Sequence, residues 1–191
     1  MDNLKRFLKK SYGVEIDSEE LIILSSSILN DLENNKEICI KLFEWVRDKI
    51  KYKLVRVIGA LGTYKRKSGA CIDKSSLLIA LLRINKIPSR YITLKANLIA
   101  KQPISERYVN HCAVQAYINN RWVILDPTFD PSFDKTFPKA QFDKPGWWDM
   151  KDSLIHQERF EISKLEMDIT SRSYERSTPW KKMIENIKSH K

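Results

Sequence analysis

Cysteine is scarce in this chain. Three occur in 191 residues, Cys39, Cys71 and Cys112, and no CxxC pair is present. An odd count without paired spacing excludes a disulfide framework and fits a reducing compartment. Glycine is also sparse, five in all, and three of them (Gly59, Gly62, Gly69) lie in the stretch just before Cys71. Long apolar runs are missing: none approaches the roughly 18–20 residues that cross a bilayer. Behind the basic N-terminus, Met1 to Lys10, no apolar signal-peptide core follows. These two absences predict a cytoplasmic protein without a membrane span. Internal repeats, low-complexity tracts, zinc-finger spacing and an RNA-binding aromatic signature are absent as well.

What is present is an ordinary globular composition, 42% apolar and 30% charged. The length suits a single domain, residues 1–191, with one sizeable core and a peripheral extension. The net charge of +10 is spread along the chain, with only short clusters at 5–10, 65–67 and 181–182. That distribution predicts a basic solvated surface and no specific nucleic-acid partner. It leaves room for electrostatic steering of acidic substrates.

The first half of the chain has helical periodicity. Residues 18–33 predict a helix with Ser18 as its cap and Asn34-Asn35 as its end. Residues 36–52 predict a second helix, with Ile38, Cys39, Leu42, Phe43, Val46 and Ile50 on its apolar face. Cys39 there reads as a small buried hydrophobe. Residues 53–70, with their glycines, predict a loop with short extended pieces. Residues 72–86 are apolar nearly all round and predict a central buried helix stopped by Pro88. Beyond Pro88 the period becomes alternating, which predicts strands at 90–98, 108–118 and 121–126. Asn119-Asn120 suits a two-residue hairpin turn, since Asn tolerates positive φ. Residues 129–150, rich in Pro, Phe, Asp and Lys, predict a wrapping loop. Residues 154–167 fit either a strand or a helix, and 180–187 a short basic amphipathic helix.

Three residues carry chemistry. Cys71 opens the central helix, His111 lies on the second strand, and Asp126 ends the third. A thiol, an imidazole and a carboxylate are the parts of a nucleophilic acyl-transfer site. With a two-residue turn, paired positions on the hairpin sum to 239, so Asp126 falls opposite Ala113 and His111 opposite Thr128. His111 and Asp126 then share one face of the sheet, a diagonal apart, about 7–8 Å between backbones. A slip of one residue would separate them. Cys112 points the other way and reads as core. A free thiol has a pKa of about 8.5, and a helix N-terminus and an imidazolium both favour the thiolate. Lys65, Arg66 and Lys67 are expected to add positive potential. The Cys71 backbone N–H should face a developing oxyanion, with Tyr52, Tyr64 or Ser68 as a second donor. Ala113, Trp122, Trp147 and Trp148 are candidates for lining a substrate pocket. Paired metal-ligand spacing is lacking, and neither metal nor cofactor is expected.

Several stretches resemble the transglutaminase-like superfamily of cysteine enzymes. They are Trp45 to Tyr52, Gly69-Ala70-Cys71-Ile72-Asp73 with the leucines through Arg83, and Ile87-Pro88-Ser89-Arg90-Tyr91. His111 with Val114 and Tyr117, Asn120-Arg121-Trp122-Val123 and Asp126-Pro127-Thr128 complete the resemblance, which covers roughly residues 36–128. It implies a papain-like α+β fold, with the Cys helix packed on an antiparallel sheet, and residues 129–191 flanking or wrapping that core. It also implies a triad of Cys71 as nucleophile, His111 as base and acid, and Asp126 as orienter. The reaction would run through a thioester on a peptide or amide, free or within a protein. Hydrolysis is favoured over protein cross-linking. The alternatives are a binding scaffold with little turnover and an arylamine acetyltransferase-like acyltransferase. The chain departs from the family where an aromatic and an acidic residue often follow the His: Ala113 and Gln115 stand there.

Overall fold

A computed structural model describes residues 2–53, 55–97, 108–128 and 160–164. The expectations for the loop 129–150, including Trp147 and Trp148, and for the helix 180–187 lie outside these residues.

The chain opens with a short turn of helix α1 (Asp2–Lys5) running into a 3₁₀ turn (Arg6–Leu8) whose Phe7 is buried. Helix α2 spans Glu19–Leu29 and α3 spans Asn35–Lys49. The boundary between them differs from expectation. Asn30 and Asp31 both take positive φ and end α2 early. Asn34 belongs to the next helix, where its side chain accepts from the N–H groups of Lys36 (2.9 Å) and Glu37 (3.3 Å). Ser18, the expected cap of α2, makes no side-chain cap bond; its carbonyl receives the N–H groups of Leu21 and Ile22 instead.

A second correction falls on residues 53–70. In place of a loop they hold helix α4 (Gly59–Arg66), flanked by β1 (Lys51–Tyr52) and β2 (Ser68–Gly69), which pair in parallel. Local propensity argues against α4, because Gly59 and Gly62 weaken an eight-residue helix. Its start is held from a distance. Glu15 Oε2 accepts from Ala60 N (3.0 Å) and Leu61 N (3.2 Å), and the Gly13 carbonyl also receives Ala60 N (2.9 Å). Gly59 sits at φ +77°, and a Cβ there would lie 2.8 Å from Glu15 Oε1.

Helix α5 (Cys71–Ile84) is buried from Ile72 through Arg83. It ends before Pro88 in a Schellman motif: Lys86 has φ +60°, its N–H meets the Arg83 carbonyl, and Ile87 N–H meets the Leu82 carbonyl (2.9 Å). The buried Arg83 guanidinium then ties this end to the sheet through the Ser89 carbonyl (2.6 and 3.1 Å) and reaches back to the Lys9 carbonyl.

The sheet has the order β5-β4-β3-β6, from β3 (Ser89–Asn97), β4 (Tyr108–Ile118), β5 (Arg121–Leu125) and β6 (Phe160–Lys164), with every neighbour antiparallel. The β4–β5 register follows the expected sum, from Ile118↔Arg121 to Val114↔Leu125. Asn119 and Asn120 take φ 51° and 60°, the twist that a two-residue turn requires. Of the ambiguous stretch 154–167, residues 160–164 are strand, laid on the free edge of β3 with an irregularity between Thr93 and Lys95.

One face of the sheet, with Tyr91, Cys112, Val114, Ala116, Ile118, Val123 and Leu125, packs with Leu77, Leu78, Leu81 and Leu82 of α5 and with α2 and α3 in a single core. Ile92 and Ala113, joined by Ile124, form a smaller cluster on the opposite face. The fold is thus α+β: helices on one side of an antiparallel sheet, with the start of α5 near the open end of the β4–β5 hairpin.

Candidate active site

The site grows from that junction. Gly69 of β2 presses so close to the first turn of α5 that a Cβ would stand 2.5 Å from Asp73 Cβ. Asp73, the third residue of α5, reaches back to Ala70 N–H (3.1 Å) and across to Ile58 N–H (3.0 Å). This carboxylate therefore fixes the chain immediately before Cys71 and docks α4 onto it. Burial pushes the Asp73 carboxyl up, partly offset by those N–H donors and by Arg66.

His111 and Asp126 meet here. The Nε2–Oδ2 distance is 2.7 Å, and both residues are buried. The β4–β5 ladder stops at Val114↔Leu125 and the chain then turns, yet the two side chains still meet. Asp126 uses its other oxygen, Oδ1, to accept the Thr128 N–H at 3.0 Å, an Asx-type turn that fixes the carboxylate plane. Burial alone would pull the His111 imidazolium down. The Asp126 carboxylate and hydrogen bonding to Asp126 and Cys71 outweigh it and raise the group to about 10. Because Nε2 faces Asp126, Nδ1 is the ring nitrogen left for the Cys71 sulfur.

Cys71 is half-buried, whereas Cys39 and Cys112 are buried. Cys39 is fully enclosed in the core and its thiol is pushed up by burial. Burial also raises the Cys112 thiol, with the charge at Cys71 adding to the shift.

The other sequence candidates separate by position. Pairing of Tyr52 with Gly69 carries Tyr52 to the site. Its phenol is held well above the usual range by burial and by the negative charges of Cys71 and Asp126. Tyr64 instead packs against Trp45 at 6.3 Å, with the Lys67 ammonium 3.6 Å over its ring. Ser68 lies in β2 opposite Lys51, and its carbonyl receives Arg66 Nε (2.9 Å). Ala113 is enclosed with Ile92 and Ile124, so its small side chain fills a packed cluster. Trp122 lies at the turn end of β5, four residues or roughly 13 Å along the strand from Asp126. There it makes edge contacts with Phe7 (5.1 Å) and Tyr117 (5.3 Å), beneath Arg90.

The cations of residues 65–67 have partners of their own. Lys65 pairs with Glu20 (2.7 Å), Arg66 faces Asp73 (3.5 Å), and Lys67 stacks on Tyr64. One residue escaped the sequence reading: Lys74, wholly buried one turn into α5. The signal was available, since a lysine in a helix read as buried all round needs partners.

A profile of the transglutaminase-like superfamily matches residues 24–127, more than half of the chain. The match begins within α2, earlier than the resemblance over 36–128. Among solved structures, a suspected cysteine protease from Cytophaga hutchinsonii is similar with a TM-score of 0.58 and 27% identity, over 67% of this chain and 43% of that one. The periplasmic domain of TgpA from Pseudomonas aeruginosa has a TM-score of 0.53 and 16% identity, over 70% of this chain and 49% of that one. The second likeness is one of fold. The chain spans less than half the length of either protein. A search of curated proteins finds no match. Among the described residues, no helix is long and apolar enough to cross a membrane.

Proposed function

Because the chain belongs to the transglutaminase-like superfamily, we propose that it is a cysteine-dependent acyl-transfer enzyme that hydrolyses an amide or peptide bond through a thioester on Cys71. The observation that carries this reading is the buried 2.7 Å contact of His111 with Asp126, beside the half-buried Cys71.

His111 rests as the imidazolium at neutral pH, and the nucleophile is Cys71 in its thiolate form. The thiolate attacks the carbonyl carbon, a C–S bond forms, and the electron pair moves to oxygen. The Cys71 backbone N–H at the start of α5 faces that oxyanion. Tyr52 is the second donor among the three candidates, since its phenol keeps its proton against the neighbouring negative charges. His111 gives its proton to the departing nitrogen as the C–N bond breaks, leaving a thioester and a free amine. The neutral imidazole next takes a proton from water. Hydroxide adds to the thioester, the C–S bond breaks, and acid, thiolate and imidazolium are restored. Asp126 holds the ring tautomer and stabilises the imidazolium throughout. An amine in place of water would give transfer.

Iodoacetamide at about pH 6–7 should label Cys71 far faster than Cys39 or Cys112, because only an activated thiol is ionised there. His111→Ala should slow that labelling. Equal and slow labelling of all three cysteines would sink the enzyme reading and favour a binding scaffold. Intact-protein mass after exposure to a peptide or amide library should show an acyl adduct on Cys71. Acylation by an acyl-CoA alone would point to the acetyltransferase-like alternative.

A further inference from the structure

Lys74 stands one helical turn from Cys71, and none of its side chain reaches solvent. Its ammonium lies against three backbone carbonyls: Ile50 O at 2.6 Å, Arg47 O at 3.0 Å and Thr128 O at 3.4 Å. An ammonium carries three N–H donors, one for each. Two of these carbonyls lie at the C-terminal end of α3, where helix carbonyls lack partners and the dipole favours a cation. Capping α3 explains those two contacts. It does not explain the third, which crosses to the other side of the site.

Thr128 is the residue whose N–H holds Asp126 Oδ1. The Lys74 contact thus acts on the same three-residue turn that aims the carboxylate at His111. The peptide units of this turn have few other anchors among the described residues, since the β4–β5 ladder has already ended at Leu125. We propose that Lys74 is a positioning residue: by holding the Thr128 carbonyl against the end of α3, it fixes the turn that orients Asp126 toward His111. The inference rests on the reading of Cys71, His111 and Asp126 as catalytic machinery. Without the ammonium, the Thr128 carbonyl loses its hold on the end of α3, residue 128 shifts as a whole and carries its N–H away from Oδ1, and the carboxylate loses its fixed plane.

The test compares Lys74→Met, of similar length but without donors, with Lys74→Gln, which keeps amide donors. Both are read beside Asp126→Asn and the double variants, in the presence of trimethylamine N-oxide to favour the compact state. Circular dichroism and melting establish folding, and the readout is the rate of Cys71 alkylation from pH 5 to pH 10. A merely structural lysine would lower the melting temperature and leave that pH profile in place. The expected result is a loss of about tenfold or more near pH 6–7 in folded Lys74→Met, with the rise of the profile moved to higher pH. Asp126→Asn should behave alike, and the double variant should be no worse than the poorer single one. A folded Lys74→Met with the wild-type profile overturns the proposal, as do losses that multiply in the double variant. Failure of both Lys74 variants to fold overturns it too, by making Lys74 a residue of the fold alone. If Asp126→Asn itself leaves labelling unchanged, the catalytic reading fails instead.

Discussion

His111 enters the site already charged, and that charge has a pH signature. In the fold the imidazolium is raised to about 10, against an ordinary value of 6.5. Below about 6.5 folded and unfolded chains both hold the proton, and the interaction with Asp126 contributes in full. As pH rises, the unfolded chain releases its proton first, so the contribution shrinks and is lost through pH 10. The stability advantage of the native protein over His111→Gln should therefore narrow steadily from pH 6.5 to pH 10. Urea midpoints at pH 6, 8 and 10 measure it, and an advantage that is flat or grows with pH would contradict a charged His111. The meeting of His111 with Asp126 was legible because hairpin register is arithmetic: one turn assignment fixes which side chains share a face. For Lys65, Arg66 and Lys67 the sequence names the charge but not what it touches. A run of charge carries no information about its partners, and here Glu20, Asp73 and Tyr64 engage it.

At the scale of elements, the helix boundaries separate side-chain chemistry from its local appearance. Ser18 and Asn34 are both good cap residues by type, and both precede helices. Only Asn34 presents an oxygen to the first free N–H groups, those of Lys36 and Glu37. Asn34→Ala should cost about 1 kcal/mol of stability, as cap removal does, while Ser18→Ala should stay within ~0.5 kcal/mol. Denaturant melts of the two variants decide this, and equal losses would mean that the Asn34 contact does not cap α3. Helices α3 and α5 and strands β3, β4 and β5 were readable because each has a sustained apolar period. Helix α4 was not, since its start is completed by Glu15, 45 positions upstream of Ala60, and by Asp73 in the next helix. Tertiary contact there overrides two glycines, and no local window contains the residues responsible.

Across the whole molecule, the sheet joins two kinds of sequence. Strands β3, β4 and β5 fall within the segment matched to the superfamily, residues 24–127, whereas β6 comes from beyond it. Strand β6 was ambiguous as sequence because no tight turn ties it to a neighbouring strand, as Asn119-Asn120 ties β5 to β4, and its pairing partner is the edge of β3, about 65 positions upstream. That edge would otherwise offer unpaired N–H and carbonyl groups to another molecule. The candidate site lies on the other side of β3, on β4 and after β5. Stability and chemistry should therefore respond separately to loss of β6. A chain shortened to residues 1–130 is expected to lose about 2 kcal/mol, which at this size lowers the melting temperature by roughly 4–8 °C. It should also associate in a concentration-dependent way through the exposed edge of β3. Its monomeric fraction should keep the preference of iodoacetamide for Cys71, since α5 and the β4–β5 hairpin remain paired. Sedimentation at several concentrations, with melting and labelling on the same samples, separates these effects. A shortened chain that stays monomeric with an unchanged melting temperature would show that β6 protects nothing. One that stays folded but loses the labelling preference would tie the site to the far edge of the sheet.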